Sequence, residues 1–193
     1  MDIPWGSNIA NSFVTNVGLV TSYGTHGHNI MACEWTHHLS YKPGLIGVSV
    51  HPRHATHDNI KETKEFGICI ASVQQSVLSS VAGKDSGKKF DKMKILEELG
   101  FKFFSAKKIR AMLVEGTAVC MECKLHSEIP LGDHTLFVGE VIESVFNPEE
   151  KPLAYHGGKY QEMTSAPEKP SAGLREKINL LFEKHKKHIS FPK

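Results

Sequence analysis

The chain has 193 residues, 40% of them hydrophobic and 23% charged, with a formal net charge of +2. That balance fits one soluble domain, or one domain with a helical tail, with enough apolar surface for a core. It gives no basis for nucleic-acid binding, since no Lys/Arg run is interleaved with aromatics, and no apolar run is long enough to span a bilayer.

Met1-Asp2-Ile3-Pro4-Trp5 lacks the basic and apolar regions of a secretory signal, and residues 1–12 read as an irregular lead-in. The four cysteines, 33, 69, 120 and 123, form no dense scaffold, so reduced thiols in a cytoplasmic protein are expected. Residues 13–23, rich in Val, Thr and Leu, predict a first strand. Gly24-Thr25-His26-Gly27 is turn chemistry, and residues 29–36 return as a second strand, making a hairpin. Residues 37–44 read as a loop, and 45–50 as a third strand. Pro52 closes it, and Thr56 is the expected cap of a short helix over 57–64. A fourth strand over 66–71 follows. Ser72 then starts a helix with Val73, Val77, Leu78 and Val81, ending before Gly83, and Asp91 caps another that ends at Gly100.

From Thr117 the period returns to two. Val119, Met121, Cys123 and Leu125 point one way; Cys120, Glu122 and Lys124 point the other. A turn at 130–134 leads into an antiparallel return strand over 135–146. Residues 147–170 hold Pro, Glu and Gly around one patterned island, Tyr155 to Tyr160. A last helix, capped by Ser171, carries Leu174, Ile178, Leu181, Phe182, His185 and Ile189 on one side. The predicted fold is mainly β with α (α+β): an antiparallel split β-barrel with peripheral helices and a C-terminal helix. Residues 1–165 would be the barrel domain and 166–193 an amphipathic extension. A doubly wound sheet is disfavoured, because the last two long strands are joined by too few residues for a crossover.

The strongest chemical stretch is His51 to Asn59. There a strand ends, Arg53 offers a fork of donors, and Thr56 sits where the first helical N–H groups are unpaired, a set suited to a phosphate monoester. The same residue types also fit an ordinary capped helix with surface histidines. His51, His54 and His57 lack the carboxylate pattern of a helical metal site, so no metal is expected. Cys120-Met121-Glu122-Cys123 resembles a dithiol, but residues three apart on a strand face opposite sides, which puts Cys123 in the core and Cys120 on the other face. Gly83 to Lys89 has the wrong spacing for a P-loop, and no Gly-x-Gly-x-x-Gly follows a strand. The strand from Asn29 to Trp35, with small Ala32, would let a flat ring lie against backbone.

Several pieces, in order, resemble the flavin reductase-like, FMN-binding split-barrel family, in particular its flavoredoxin-like branch. They are Leu19-Val-Thr-Ser22, Asn29-Ile-Met31 with Trp35, Ile46-Gly-Val-Ser-Val50, Arg53-x-x-Thr56, and Gly87 with Asp91-Lys92. Gly132-Asp-His-Thr135 and Tyr155-x-Gly-Gly-Lys-Tyr160 complete the series, over roughly residues 12–160. The sequence has Met93 where an aromatic commonly follows Asp-Lys in that family.

The resemblance implies a homodimer with FMN as cofactor in a groove near the subunit interface. Arg53, Ala55, Thr56 and His57 would hold the phosphate, beside the strand end Ser49, Val50 and His51. Asn29, Met31, Ala32, Cys33 and Trp35 would line the flavin ring. Lys92 and His134 would approach its edge as the catalytic pair, and Tyr160 would cover it. Lys92 or backbone N–H groups would favour the negative charge of the reduced ring, and His134 would donate or position a proton. The implied activity is that of a flavin reductase, an enzyme passing electrons from NAD(P)H or a redox protein through FMN to flavin, iron or a protein acceptor. The alternatives are a non-catalytic FMN electron carrier and a flavin-binding interaction protein.

Overall fold

The computed structural model describes residues 1–187. Residues Met1–Glu162 form one compact unit, and a second begins at Met163. The first is built on a seven-stranded sheet whose ladders are all antiparallel. In chain order its strands are β2 (Gly18–Ser22), β3 (Asn29–Cys33), β4 (Thr36–Tyr41), β5 (Gly44–Val50), β6 (Glu65–Ile70), β9 (Val119–Leu131) and β10 (His134–Phe146). The spatial order is β3-β2-β6-β9-β10-β5-β4, so β3 and β4 are the edges, and no ladder among the described residues closes them into a complete barrel.

The sheet wraps around one apolar cluster and is covered outside by another. Val20, Met31, Val48, Val50, Phe66, Ile68, Cys123 and Phe137 fill the inside together with Ile60 from α1 (Ala55–Thr63). Leu19, Ile30, Cys69 and Cys120 face outward under α2 (Ser76–Lys84), α3 (Lys92–Glu98) and a small two-stranded sheet, β7 (Phe103–Ser105) with β8 (Met112–Val114). The period of two read along residues 119–125 is therefore a partition between two cores. Glu122, on the outer face, is 2% exposed, and its carboxylate accepts the N–H groups of Lys107, Lys108 and Ile109 at 2.6–3.2 Å. Three donors offset the cost of burying that charge.

The structure corrects the sequence reading in several places. The first strand breaks in two: β1 (Val14–Asn16) leaves the main sheet to pair with β11 (Ala154–His156), which pairs in turn with β12 (Lys159–Gln161). Gly157 and Gly158 join β11 to β12 with φ of +56° and +77°, the backbone a two-residue type I′ hairpin requires. Residues 37–41, read as loop, belong to β4. Its side chains are mostly exposed, so its strand character comes from the backbone ladder to β5 rather than from a buried face. The α1 helix starts at Ala55, with His54 at the cap position, so Thr56 lies inside the helix. The α2 helix follows a 3-10 turn at Val73–Gln75 and runs through Gly83 to Lys84. Finally, the cysteines are not all free thiols: Cys69 and Cys120, register partners on β6 and β9, form a disulfide, while Cys33 and Cys123 are free and buried.

Asp91 caps α3 as expected, its Oδ1 accepting from Lys94 N at 3.0 Å. In the second unit, α4 (Ala172–Lys184) is capped by Ser171 Oγ, which accepts from Leu174 N at 3.3 Å. Leu174, Leu181 and Phe182 are exposed on it; Ile189 lies outside the described residues.

Candidate functional site

Strand register assembles the first part of the site. Val50, the last residue of β5, lies opposite Thr135 near the start of β10, so the next residues, His51 and His134, are brought side by side. Their ring centroids are 5.3 Å apart, Trp35 lies 4.7 Å from His134, and His54 lies 6.2 Å from His51. Trp35 is held there because its carbonyl accepts from Ser49 N at 3.0 Å, joining the link after β3 to β5. Arg53 N donates to His51 Nδ1 at 3.1 Å, which leaves the proton of the neutral ring on Nε2. His134 Nδ1 donates to Asp133 Oδ1 at 2.7 Å, which turns Nε2 away from that carboxylate.

His54 is half-buried at the cap of α1 and offers no side-chain cap bond. Burial pushes its pKa down to about 4, and the charges of Arg53, His51, Lys92 and His134 act in the same direction. It is therefore neutral at ordinary pH. In the first turn of α1, His57 N donates to His54 O at 3.2 Å, the N–H groups of Ala55 and Thr56 receive no side-chain cap from His54, and the exposed Arg53 forms no ion pair among the described residues. A helix start, open donors and a guanidinium together suit an anion.

Thr56 supports this turn from within. Its Oγ1 accepts from Asn29 Nδ2 at 2.8 Å, a buried hydrogen bond tying α1 to β3. Gly87, in the α2–α3 loop, presses on the same pair: a Cβ there would collide with Asn29 Oδ1 and stand 3.3 Å from Ala55 Cβ. Because β3 is an edge strand, alternate N–H and C=O groups on its free side point away from β2. A flat ligand with a polar edge could pair with them while its anionic tail reached α1.

Other expected residues are placed differently. The His57 imidazole turns inward, with Nε2 3.0 Å from Thr135 Oγ1 and its ring 5.1 Å from that of Phe137. It is therefore not a side-chain donor at the turn; its Nδ1 is buried without a hydrogen-bond partner. Met31 and Cys33 face the inner cluster, whereas Ala32 packs on the outer face near Gly83 of α2, so these three side chains cannot line one surface. Burial raises the Cys33 thiol, which donates to Ser49 O at 3.6 Å. Lys92 is 5% exposed and donates from Nζ to Ala82 O at 2.6 Å, near the C-terminal end of α2. Burial pulls its pKa down to about 8, with Asp85 partly opposing. Tyr160 sits in the separate three-stranded sheet, 5.5 Å from Tyr155.

Sequence reasoning missed three contributors: His54 as a neutral residue at the cap position, Asp133 as the partner of His134, and the Asn29–Thr56 bond. Asp133 was legible as the residue beside His134. A bond spanning 27 residues carries no local signal. Among the described residues, no group of three or more His, Cys, Asp or Glu is disposed to hold a metal ion.

Residues 10–164 match the family model described as the flavin reductase like domain. The chain is similar to an uncharacterized protein of Pyrococcus abyssi, 30% identical over 141 residues that cover 73% of this chain and 76% of that one. It is also similar to the FMN reductase (NADH) SmoA of Agrobacterium fabrum, 27% identical over 155 residues, 79% of this chain and 82% of the other. Its fold resembles that of the Streptomyces globisporus C-1027 NADH:FAD oxidoreductase SgcE6, with a TM-score of 0.74 at 21% identity over 81% of this chain and 90% of that one.

Proposed function

We propose, from the premise that the chain belongs to the flavin reductase like domain family, that it is an FMN-dependent oxidoreductase. In this reading it takes electrons from reduced nicotinamide of the cytoplasm and passes them to flavin, iron or a protein acceptor. FMN is the finer part of the proposal, since the similar proteins above include both an FMN reductase and an NADH:FAD oxidoreductase. The observation that carries it is the Asn29–Thr56 hydrogen bond, which fixes an uncapped helix start beside a free strand edge.

Arg53 and the backbone N–H groups of Ala55 and Thr56 would hold the phosphate, with Thr56 Oγ1 engaged to Asn29. The free edge of β3 would receive the polar edge of the ring, with Trp35 and His51 beside it. When bound, FMN supplies an acceptor for a hydride and a store for two electrons. Lys92, held on the Ala82 carbonyl, adds a positive field that favours negative charge in the site. His134, oriented through Asp133, keeps Nε2 available to hold or deliver a proton. The neutral His54 leaves the phosphate to the guanidinium and the helix start.

The proposal includes a homodimer, supported by the adjacent exposed Val145 and Phe146 at the end of β10. It places the catalytic unit in residues 1–165, with 166–193 as an extension. Mixing the FMN-loaded protein anaerobically with NADH or NADPH tests the enzymatic reading. Rapid bleaching of the visible flavin band is expected. A loaded protein whose band stays unchanged with both donors would make it a carrier and contradict this reading.

A further inference from the structure

The Cys69–Cys120 bond joins β6 to β9 at positions that face each other across the ladder, on the outer side of the sheet. Its two halves stand in different surroundings. Cys69 belongs to the outer apolar cluster, is fully buried, and has no hydrogen-bond partner for its sulfur among the described residues. Cys120 lines a cavity of about 310 Å³ together with Phe104, Val114, Thr117, Val145 and Asn147, among others. That volume is enough for a small organic molecule. Cys120 is itself only 2% exposed, so the cavity, and not the open surface, is the route to its sulfur.

Two polar groups of the cavity wall meet that sulfur. Thr117 Oγ1 lies 3.1 Å from Cys120 Sγ and Val114 O lies 3.5 Å from it, while the Thr117 hydroxyl also reaches Val114 O at 3.2 Å. A disulfide sulfur has no proton to give, so Val114 O can accept from Cys120 only when the pair is reduced. A thiolate at the same place could accept from the Thr117 hydroxyl. The surroundings of Cys120 thus suit the reduced sulfur as well as the oxidised one. Cys123 does not compete for the exchange: it faces the inner cluster, and burial pushes its thiol up to about 12.

We propose that Cys69–Cys120 is a redox site that opens and closes in the folded protein, reached through this cavity by a small thiol. The thiolate of the reductant attacks Cys120 Sγ. A new S–S bond forms there, the Cys69–Cys120 bond breaks, and the Cys69 sulfur leaves with the electron pair and takes up a proton. A second small thiol then attacks the outer sulfur of the mixed disulfide and releases Cys120. In sum, two small thiols are oxidised to one disulfide and the protein pair is reduced to two thiols; a small disulfide runs the exchange backwards. The inference stands on this pair alone and does not depend on which ligand the first turn of α1 holds.

The test starts from the oxidised full chain under native conditions. Dithiothreitol is added, the reaction is stopped with acid, and peptide mapping after denaturing alkylation follows each cysteine. The expected result is reduction of Cys69–Cys120 while the circular dichroism spectrum stays that of the folded protein. A bond that survives until urea unfolds the chain, or a chain that unfolds once reduced, would overturn the proposal. Two variants read which sulfur is attacked: Cys69→Ser keeps the Cys120 thiol alone, and Cys120→Ser keeps Cys69 alone. With 2-hydroxyethyl disulfide, the folded Cys69→Ser protein should gain a mixed disulfide at Cys120 about tenfold faster than the folded Cys120→Ser protein gains one at Cys69. Equal rates, or no adduct at Cys120, would contradict the assignment of the cavity as the route. Thermal melts check that each variant is folded; should either fail to fold, the reduction of the wild type decides alone.

Discussion

At the scale of single residues, the site depends on a few groups held away from their ordinary states. Lys92 is buried with its pKa drawn down to about 8, so its ammonium discharges as pH rises through that value. Above it the site loses a positive charge that would favour the proposed FMN. FMN affinity should therefore fall several-fold between about pH 7 and pH 9, and Lys92→Met should flatten that dependence. Titration of FMN fluorescence at stepped pH reads both. Thr56 acts through Asn29 rather than as a cap. Thr56→Val keeps the shape but leaves the buried Asn29 amide without its acceptor, which should cost about 1–3 kcal/mol in urea unfolding. The residue types of this turn were legible in the sequence: Arg53 and Thr56 stand at a strand-to-helix junction, where phosphate chemistry is expected. Their geometry was not. The helix begins one residue before Thr56, and the partners of Thr56 and His57 come from β3 and β10, distant in the chain.

At the scale of elements, legibility followed how each strand is stabilised. β9 alternates between the two cores over residues 120–125, β10 turns Phe137 and Val141 to the inner one, and the alternation shows in their side chains. β4 does not alternate, because its exposed edge is held by backbone pairing, and a pattern of side chains cannot reveal that. β7 and β8 are three residues each, too short for any period, yet they cover the outer core, and the loop between them supplies the N–H groups that Glu122 accepts. The β9–β10 ladder also shifts register between Val138 and Gly139. A Cβ at Gly139 would stand 2.6 Å from Phe66 Cζ and 2.7 Å from Cys123 Cβ, inside the inner cluster. Gly139→Ala should destabilise the protein by about 1–3 kcal/mol through overpacking, measured as a lower urea midpoint.

At the scale of the molecule, the sheet places a strand edge, a helix start and a line of imidazoles on one rim. The antiparallel architecture and the peripheral helices were legible from hairpin spacing and helical periods. The structure leaves β3 and β4 as edges, and no ladder among the described residues closes them into a barrel. The proposed domain division has a direct consequence. A chain ending at Glu162 contains the whole sheet, α1 and the candidate site, so it should fold cooperatively and hold FMN within about threefold of the full chain's affinity. Circular dichroism melts and flavin titration measure this.

The central claim is that a phosphorylated flavin is anchored where Arg53 meets the first turn of α1. Arg53 is exposed and forms no ion pair among the described residues, so Arg53→Ala should leave the melting temperature unchanged while removing about 1.5–3 kcal/mol of binding, a loss of tenfold or more in affinity. The most direct measurement is the visible spectrum of wild type and Arg53→Ala after saturation with FMN and desalting. A flavin band on the wild type that is largely lost from the folded variant is the predicted result. Equal bands on both proteins, or a folded wild type that remains colourless, would contradict it.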